Sequence, residues 1–105
     1  PFFIHRIDVA YREKQQSLAT KFANSAIPSD FMRNNVFHSF QEDALGIEFR
    51  DHIGVENLMW GSDYPHSEST FPKSREILEE ILTGVPENEK ALIAGGNATK
   101  VYEFG

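Results

Sequence analysis

A short run near the middle of the chain brings together a hydroxyl, a carboxylate and an imidazole. The run reads Gly61, Ser62, Asp63, Tyr64, Pro65, His66. A carboxylate at the end of a strand can bind a divalent cation and accept a proton from the water that the cation activates. Asp63 is therefore the candidate catalytic residue and metal ligand. Because Ser-Asp ahead of a proline is also a common turn, the run alone leaves a capping or turn role for Asp63 open.

The residues that precede the run predict where the carboxylate is held. Residues 57–61 form a brief apolar segment between polar turns, which is typical of a strand buried on both faces. In parallel α/β architectures, functional residues lie just past the carboxyl ends of strands, and Asp63 has that position. Gly61 allows a sharp turn, the Ser62 hydroxyl can orient the carboxylate, and Pro65 stiffens the loop behind it.

The first half of the chain predicts two helical segments and a strand. Apolar spacing favours a helix over residues 2–22, followed by a loop in which Ser29 or Asp30 could cap a short turn through Asn34. The aromatic and β-branched residues 35–40 predict a strand. The next helix covers residues 42–53, and Gly54 ends it.

The second half is predicted to be mostly helical after the strand at 57–61. Residues 62–72 form a loop, and amphipathic spacing predicts helices over 73–82 and 87–94. Gly95 and Gly96 are expected to break the second of these, and Asn97 can cap a last helix through Phe104. Strands separated by helices indicate parallel βαβ units. Two strands leave unpaired edges, so we expect the isolated chain to self-associate.

Composition excludes several classes of function. The 105 residues include 40% hydrophobic and 25% charged side chains, which is ordinary for a globular domain. A net charge of −6 without any lysine and arginine cluster argues against nucleic-acid partners. With no cysteine, any metal must use histidine or carboxylate ligands. No apolar run long enough for a membrane span and no leader segment are present, so a soluble cytoplasmic protein is expected.

Three motifs carry a family resemblance: residues 58–66, the Phe71-Pro72 pair and residues 96–102. Together they resemble the C-terminal signature of the amidohydrolase-2 family, which contains aminocarboxymuconate-semialdehyde decarboxylase and related nonoxidative decarboxylases. Residues 6–8 and 28–31 are similar to that family's sixth helix and the approach to its seventh strand. The resemblance implies a (β/α)8 barrel, a divalent metal with zinc expected, and a small carboxylate or carbonyl substrate. Asp63 would be the metal ligand or proton-transfer residue after the eighth strand.

The histidines depart from the family pattern. The family's His-x-His pair is missing, since the four histidines His5, His38, His52 and His66 are far apart in sequence. The metal site is therefore expected to be incomplete in this chain. Since a (β/α)8 barrel takes about 250 residues, the chain would supply only its last two strands with their helices. The start at Pro1, inside an apolar segment, suggests a truncated or processed product.

Two further residues are candidates for substrate binding. Some related decarboxylases place an arginine near the position of Arg6, where it reaches a substrate carboxylate; the alternative is a helix ion pair with Asp8 or an acidic neighbour. His66 could contact substrate at the barrel mouth, although a loop histidine is more often solvated. His38 could also face the mouth, but packing between Phe37 and Phe40 is preferred.

The sequence thus predicts an α/β chain, helix-rich with about two parallel strands, in which residues 1–105 form the C-terminal part of a metal-dependent hydrolase or decarboxylase barrel. By itself the chain is expected to be inactive. The alternative is a noncatalytic helical interaction module, or a separate subunit that completes a barrel with another chain.

Overall fold

The computed structural model describes residues 1–14 and 21–104. The chain divides into two compact units, Pro1–Val36 and Phe37–Gly105. No helix in the described ranges is both long enough and apolar enough to cross a membrane.

The N-terminal unit contains helices α1 (Phe2–Lys14) and α2 (Pro28–Asn35), with a 3-10 turn at Ala23–Ser25. The prediction of one helix over residues 2–22 is wrong at its carboxyl end, because Phe22 is not helical. Its ring stacks on Tyr11 with centroids 5.1 Å apart and contacts Phe31 at 4.7 Å. These aromatic contacts pack Phe22 against α1 and α2. The part of the predicted helix at 15–20 lies outside the described residues.

Two carboxylates organise the start of α2. The helix begins at Pro28, so the predicted cap at Ser29 or Asp30 is wrong in position; Asp30 instead lies in the first turn, where its carboxylate accepts a hydrogen bond from the Ile27 backbone N–H at 2.9 Å. The buried Asp8 carboxylate accepts one from the Ser29 N–H at 2.8 Å, which joins α1 to α2. Of the ion pairs expected for Arg6, the one with Asp8 is not formed among the described residues, because the Asp8 carboxylate is buried against α2.

The C-terminal unit holds all the described strands. Its strands are β1 (His38–Phe40) and β2 (Leu58–Trp60), and its helices are α3 (Ala44–Glu48), α4 (Arg50–Ile53), α5 (Ser74–Ile81), α6 (Glu87–Ala91) and α7 (Asn97–Val101). A 3-10 turn at Val55–Asn57 precedes β2, and a π-helical stretch at Leu92–Gly96 joins α6 to α7.

The two strands are parallel, as predicted, and His38 pairs with Leu58. The pairing extends one residue beyond β2, where the Gly61 N–H donates to the Phe40 carbonyl at 2.9 Å. Since side chains alternate across a sheet, one face packs on the helices and the other carries Met59. Met59 is buried but lies outside the main core cluster. That cluster comprises Ile47, Leu58, Leu82, Val85 and Ile93, with Phe40 and Trp60 against it.

The predicted helix over residues 42–53 is two short helices that meet at Phe49. It begins late, at Ala44, because the Asp43 carboxylate caps it by accepting from the Gly46 N–H at 2.7 Å. Gly54 ends α4 with φ 106°, as predicted. Between α4 and α6, Arg50 donates to the Glu89 carboxylate at 2.6 Å. That hydrogen bond raises the pKa of Arg50 above its ordinary value, although burial opposes the shift.

We expect Gly46→Ala to reveal how tightly this cap is built. A methyl group on Gly46 would lie 2.7 Å from Asp43 Oδ2, so the carboxylate must move away from the helix start. The lost cap, worth about 1 kcal/mol, should cancel the gain of about 1 kcal/mol that alanine brings over glycine in a helix. Gly46→Ala made in the wild-type chain should therefore leave the free energy of unfolding, measured in urea, almost unchanged. In an Asp43→Ala background, Gly46→Ala should stabilise by about 1 kcal/mol; the same effect in both backgrounds would contradict the cap.

The predicted break at Gly95 and Gly96 is wrong, because helical backbone runs through both residues from α6 into α7. Gly96 serves close packing instead, since a methyl group there would lie 3.2 Å from the Ala91 carbonyl oxygen. The predicted cap at Asn97 is also wrong: its backbone is helical, with φ −65° and ψ −44°. Its side chain is buried against the start of β2, where Nδ2 donates to the Leu58 carbonyl at 2.9 Å.

Candidate functional site

Asp63 lies just beyond the carboxyl end of β2, as predicted. Its φ of 60° is in the left-handed region, which aspartate tolerates better than most residues. The Asp63 carbonyl accepts a hydrogen bond from the His66 N–H at 2.8 Å, which closes a turn. The turn role and the strand-end position are therefore both present. Half of the side chain is exposed, so its carboxylate is accessible to a ligand.

The loop after Asp63 is fixed at both ends by polar contacts. The Ser62 hydroxyl accepts from the Tyr64 N–H at 3.3 Å, so it organises the backbone and the predicted contact to the Asp63 carboxylate is wrong. The Ser62 carbonyl accepts from the Thr70 N–H at 3.0 Å. Thr70 is buried, and its hydroxyl is 2.8 Å from that of Ser74 at the start of α5. These bonds hold the two ends of the loop close together.

The turn brings His66 next to the carboxylate. His66 Nδ1 is 3.7 Å from Asp63 Oδ2, and both side chains are more than half exposed. The Glu68 N–H donates to the same nitrogen at 3.4 Å, so Nδ1 acts as an acceptor and Nε2 is the ring nitrogen that can donate.

A shallow cavity of about 210 Å³ opens at the carboxyl ends of both strands. It is lined by Ser39, Phe40, Gln41, Gly61 and Asp63. The Trp60 indole N–H donates to the Gln41 carbonyl at 2.9 Å and so ties the ends of β1 and β2 together. Sequence reasoning missed Ser39 and Gln41. Gln41 could have been predicted as Asp63 was, because functional residues lie just past the carboxyl ends of parallel strands and Gln41 directly follows β1.

Arg6, the third predicted site residue, belongs to the N-terminal unit. It lies on α1 with its side chain exposed. The structure therefore brings together Asp63 and His66, whereas Arg6 lies in the other unit. His38, considered as an alternative, is half-buried in β1.

The donors near Asp63 fit part of a divalent metal's ligand set. Zinc takes three or four protein ligands at about 2.0–2.2 Å from carboxylate oxygen or imidazole nitrogen. Within residues 1–14 and 21–104, no three histidine or acidic side chains lie close enough to hold an ion. The exposed Asp63 carboxylate has the right chemistry for one ligand.

Part of the chain matches a known protein family. A family model described as "Amidohydrolase" matches residues 37–104, which is more than half of the chain and includes both strands and the Asp63 loop. None of the curated proteins compared with the chain matches it.

Proposed function

The chain belongs to the amidohydrolase family, and from that premise we propose that it contributes Asp63 to a metal-dependent active site. The observation that carries the proposal is the position of Asp63, directly after a parallel strand and on the wall of a cavity. The family match covers β1 and β2. Because residues 58–66 and 96–102 resemble the C-terminal signature of the family, we assign β1 and β2 as the last two strands of a (β/α)8 barrel, whose mouth would hold the active site.

Asp63 would hold the metal through its carboxylate. Family members typically bind a divalent metal, which when bound polarises substrate oxygen and makes water more acidic. Asp63 would also accept the proton of the attacking water, because its carboxylate is exposed to the cavity. Zinc is the metal that we propose.

Two other side chains would bind the substrate. His66, 3.7 Å from the carboxylate, can donate from Nε2 to a substrate oxygen while Nδ1 accepts the Glu68 N–H. Arg6 would bind a substrate carboxylate, since its exposed guanidinium is not engaged by Asp8. The substrate class is a small carboxylate or carbonyl compound.

The reaction would be either hydrolysis or nonoxidative decarboxylation, because a metal can activate water or hold a carboxylate with its neighbouring oxygen. The resemblance of residues 58–66 to aminocarboxymuconate-semialdehyde decarboxylase favours testing decarboxylation first.

The test is a substrate screen on the complete gene product, before and after removal of metal with a chelator. We expect turnover of at least one small carboxylate or carbonyl compound, its loss on chelation and its recovery when zinc is restored. Turnover that survives full removal of metal would contradict the proposal.

The second candidate function is that of a subunit that completes a barrel with another chain. It is favoured by exposed aromatic side chains, among them Phe3 and Phe71, which are 66% and 60% exposed. Within the described residues, β1 and β2 pair only with each other, so each has one unpaired edge. Apolar surface and open strand edges are the features through which chains associate.

We expect the purified 105-residue chain to self-associate for the same reasons. Sedimentation velocity should show dimers or larger species at micromolar concentration, whereas a monodisperse monomer would contradict this expectation. The same sample should hold no tight stoichiometric zinc, since such sites require three or four protein ligands. Metal analysis after dialysis checks this, and one zinc retained per chain would overturn it.

A further inference from the structure

The loop that follows β2 returns to its own start through a buried threonine. The Thr70 N–H donates to the Ser62 carbonyl at 3.0 Å, and Thr70 is buried. The Ser62 carbonyl belongs to the planar peptide group that leads into Asp63, so this hydrogen bond fixes the plane from which the Asp63 backbone continues. The direction of the Asp63 side chain therefore depends on where Thr70 is held.

The backbone of Asp63 needs support from its surroundings. Its φ is 60°, and a residue other than glycine keeps such a left-handed backbone only where the surrounding structure holds it. On the carbonyl side the support is the His66 N–H, which donates to Asp63 at 2.8 Å. On the amide side it is the hydrogen bond from Thr70 to Ser62. Loss of either would let Asp63 adopt an ordinary backbone and move its carboxylate.

Thr70 is in turn tied to a helix through its side chain. The Thr70 hydroxyl lies 2.8 Å from the Ser74 hydroxyl, and Ser74 is the half-buried first residue of α5. Leu78 and Ile81 of α5 pack against the main core cluster. The hydroxyl pair, Thr70 with Ser74, therefore connects the loop to an element that the core holds.

We propose that Thr70 and Ser74 are positioning residues, whose hydroxyl pair fixes Asp63 so that its carboxylate can bind a divalent metal. The role in metal binding rests on the proposed function. Neither hydroxyl touches the metal or the substrate; both act through the Ser62 carbonyl and the backbone of Asp63. Contacts that orient a metal ligand are typically worth about 10- to 100-fold in metal affinity.

Hydrogen exchange of the 105-residue chain, measured by mass spectrometry, tests the hydroxyl pair without metal or turnover. Ser74→Ala removes one hydroxyl, leaves the sequence of the loop unchanged and suits the start of a helix. We expect the protected amides of residues 62–72 to exchange at least about threefold faster, as the loss of an ordinary hydrogen bond requires in a local opening. The amides of Leu92–Gly96 should keep their rates. Unchanged exchange in the loop would overturn the proposal.

Further variants locate the effect. Thr70→Val should match Ser74→Ala, and the double variant should add little to either, because each change removes the same interaction. Thr70→Ser keeps the hydroxyl and should restore most of the protection. Thr83→Val is the matched control, since the Thr83 hydroxyl donates to the Glu79 carbonyl at 3.2 Å and lies outside the loop. Equal loop exchange in Thr70→Val and Thr83→Val, or full additivity in the double variant, would contradict the pairing.

The zinc affinity of the complete gene product tests the link to Asp63. Competition with a chelator of known affinity should give a zinc Kd at least about tenfold higher in Ser74→Ala than in wild type. The Kd of Thr83→Val should stay within about twofold of wild type. An unchanged Kd in Ser74→Ala, with faster exchange in the loop, would overturn the positioning role and leave the proposed function standing. If the wild-type protein bound no zinc, the proposed function and the role in metal binding would both fail, whereas the exchange results would still decide whether the hydroxyl pair holds the loop.

Discussion

Asp63→Asn should lower kcat/KM of the complete gene product by about 10²- to 10⁴-fold, the range that a positioned proton acceptor contributes. The amide has nearly the same shape but can neither accept the proton nor supply the negative charge. The fold should be unaffected, because the side chain is half exposed and asparagine also tolerates the left-handed backbone that Asp63 adopts. Steady-state kinetics on a substrate from the screen measure the change.

The matched control for this variant is Glu68→Gln, which makes the same carboxylate-to-amide change in the same loop. Glu68 is exposed, and its contact to His66 uses the backbone N–H, which the substitution preserves. We expect kcat/KM of Glu68→Gln to stay within about twofold of wild type, as is usual for surface substitutions. Retention of near-normal turnover by Asp63→Asn would remove Asp63 from the reaction.

Asn97→Leu should destabilise the chain by about 1–3 kcal/mol, since the buried Leu58 carbonyl loses the hydrogen bond from the amide. The Asn97 amide donates to Val55 and Leu58 carbonyls at 2.8 and 2.9 Å, and its side chain is only 2% exposed. Leucine fills a similar volume and so keeps water from replacing the amide. Urea-induced unfolding followed by circular dichroism gives the free energy.

Asn88→Leu is the control for that experiment, because Asn88 lies on the exposed side of α6. Its free energy of unfolding should change by less than about 0.5 kcal/mol. If the two leucine variants lost equal stability, the hydrogen bonds of Asn97 to the start of β2 would contribute nothing measurable. A larger loss at Asn97 would show that α7 fixes the strand that leads to Asp63.

The features that sequence predicted correctly depend on neighbouring residues. The apolar run at Leu58–Trp60 lies between polar turns, so both the strand and the position of Asp63 after it follow from local pattern. The end of α4 at Gly54 follows from glycine's tolerance of positive φ in the same way. The parallel pairing follows from the alternation of strands with helices, and the structure confirms it.

The features that sequence missed depend on partners outside the local pattern. Asn97 has the residue type of a helix cap, but its amide bonds to Val55, which is 42 residues away. Phe22 was predicted to be helical, but it lies outside α1 and its ring packs on Tyr11 and Phe31. Tertiary contacts decided each case, and local propensity does not contain them.

The candidate site also has a part that the sequence predicted and a part that it missed. Rules for strand ends identify Asp63, and the turn that follows places His66 beside it at 3.7 Å. The cavity wall formed by Ser39 and Gln41 needs the register of β1 against β2, which sequence pattern leaves open. Arg6 was selected by resemblance, and its proposed contact to a substrate carboxylate stays a prediction.

Anomalous scattering from crystals of the complete gene product grown with zinc would test the central claim most directly, because it locates the ion without reference to turnover. The account predicts a zinc peak about 2.0–2.2 Å from a carboxylate oxygen of Asp63, the distance of a direct ligand. The peak should weaken or vanish in Asp63→Asn and persist in Glu68→Gln. A fully occupied zinc bound by other residues, with the Asp63 carboxylate well beyond ligand distance, would contradict it.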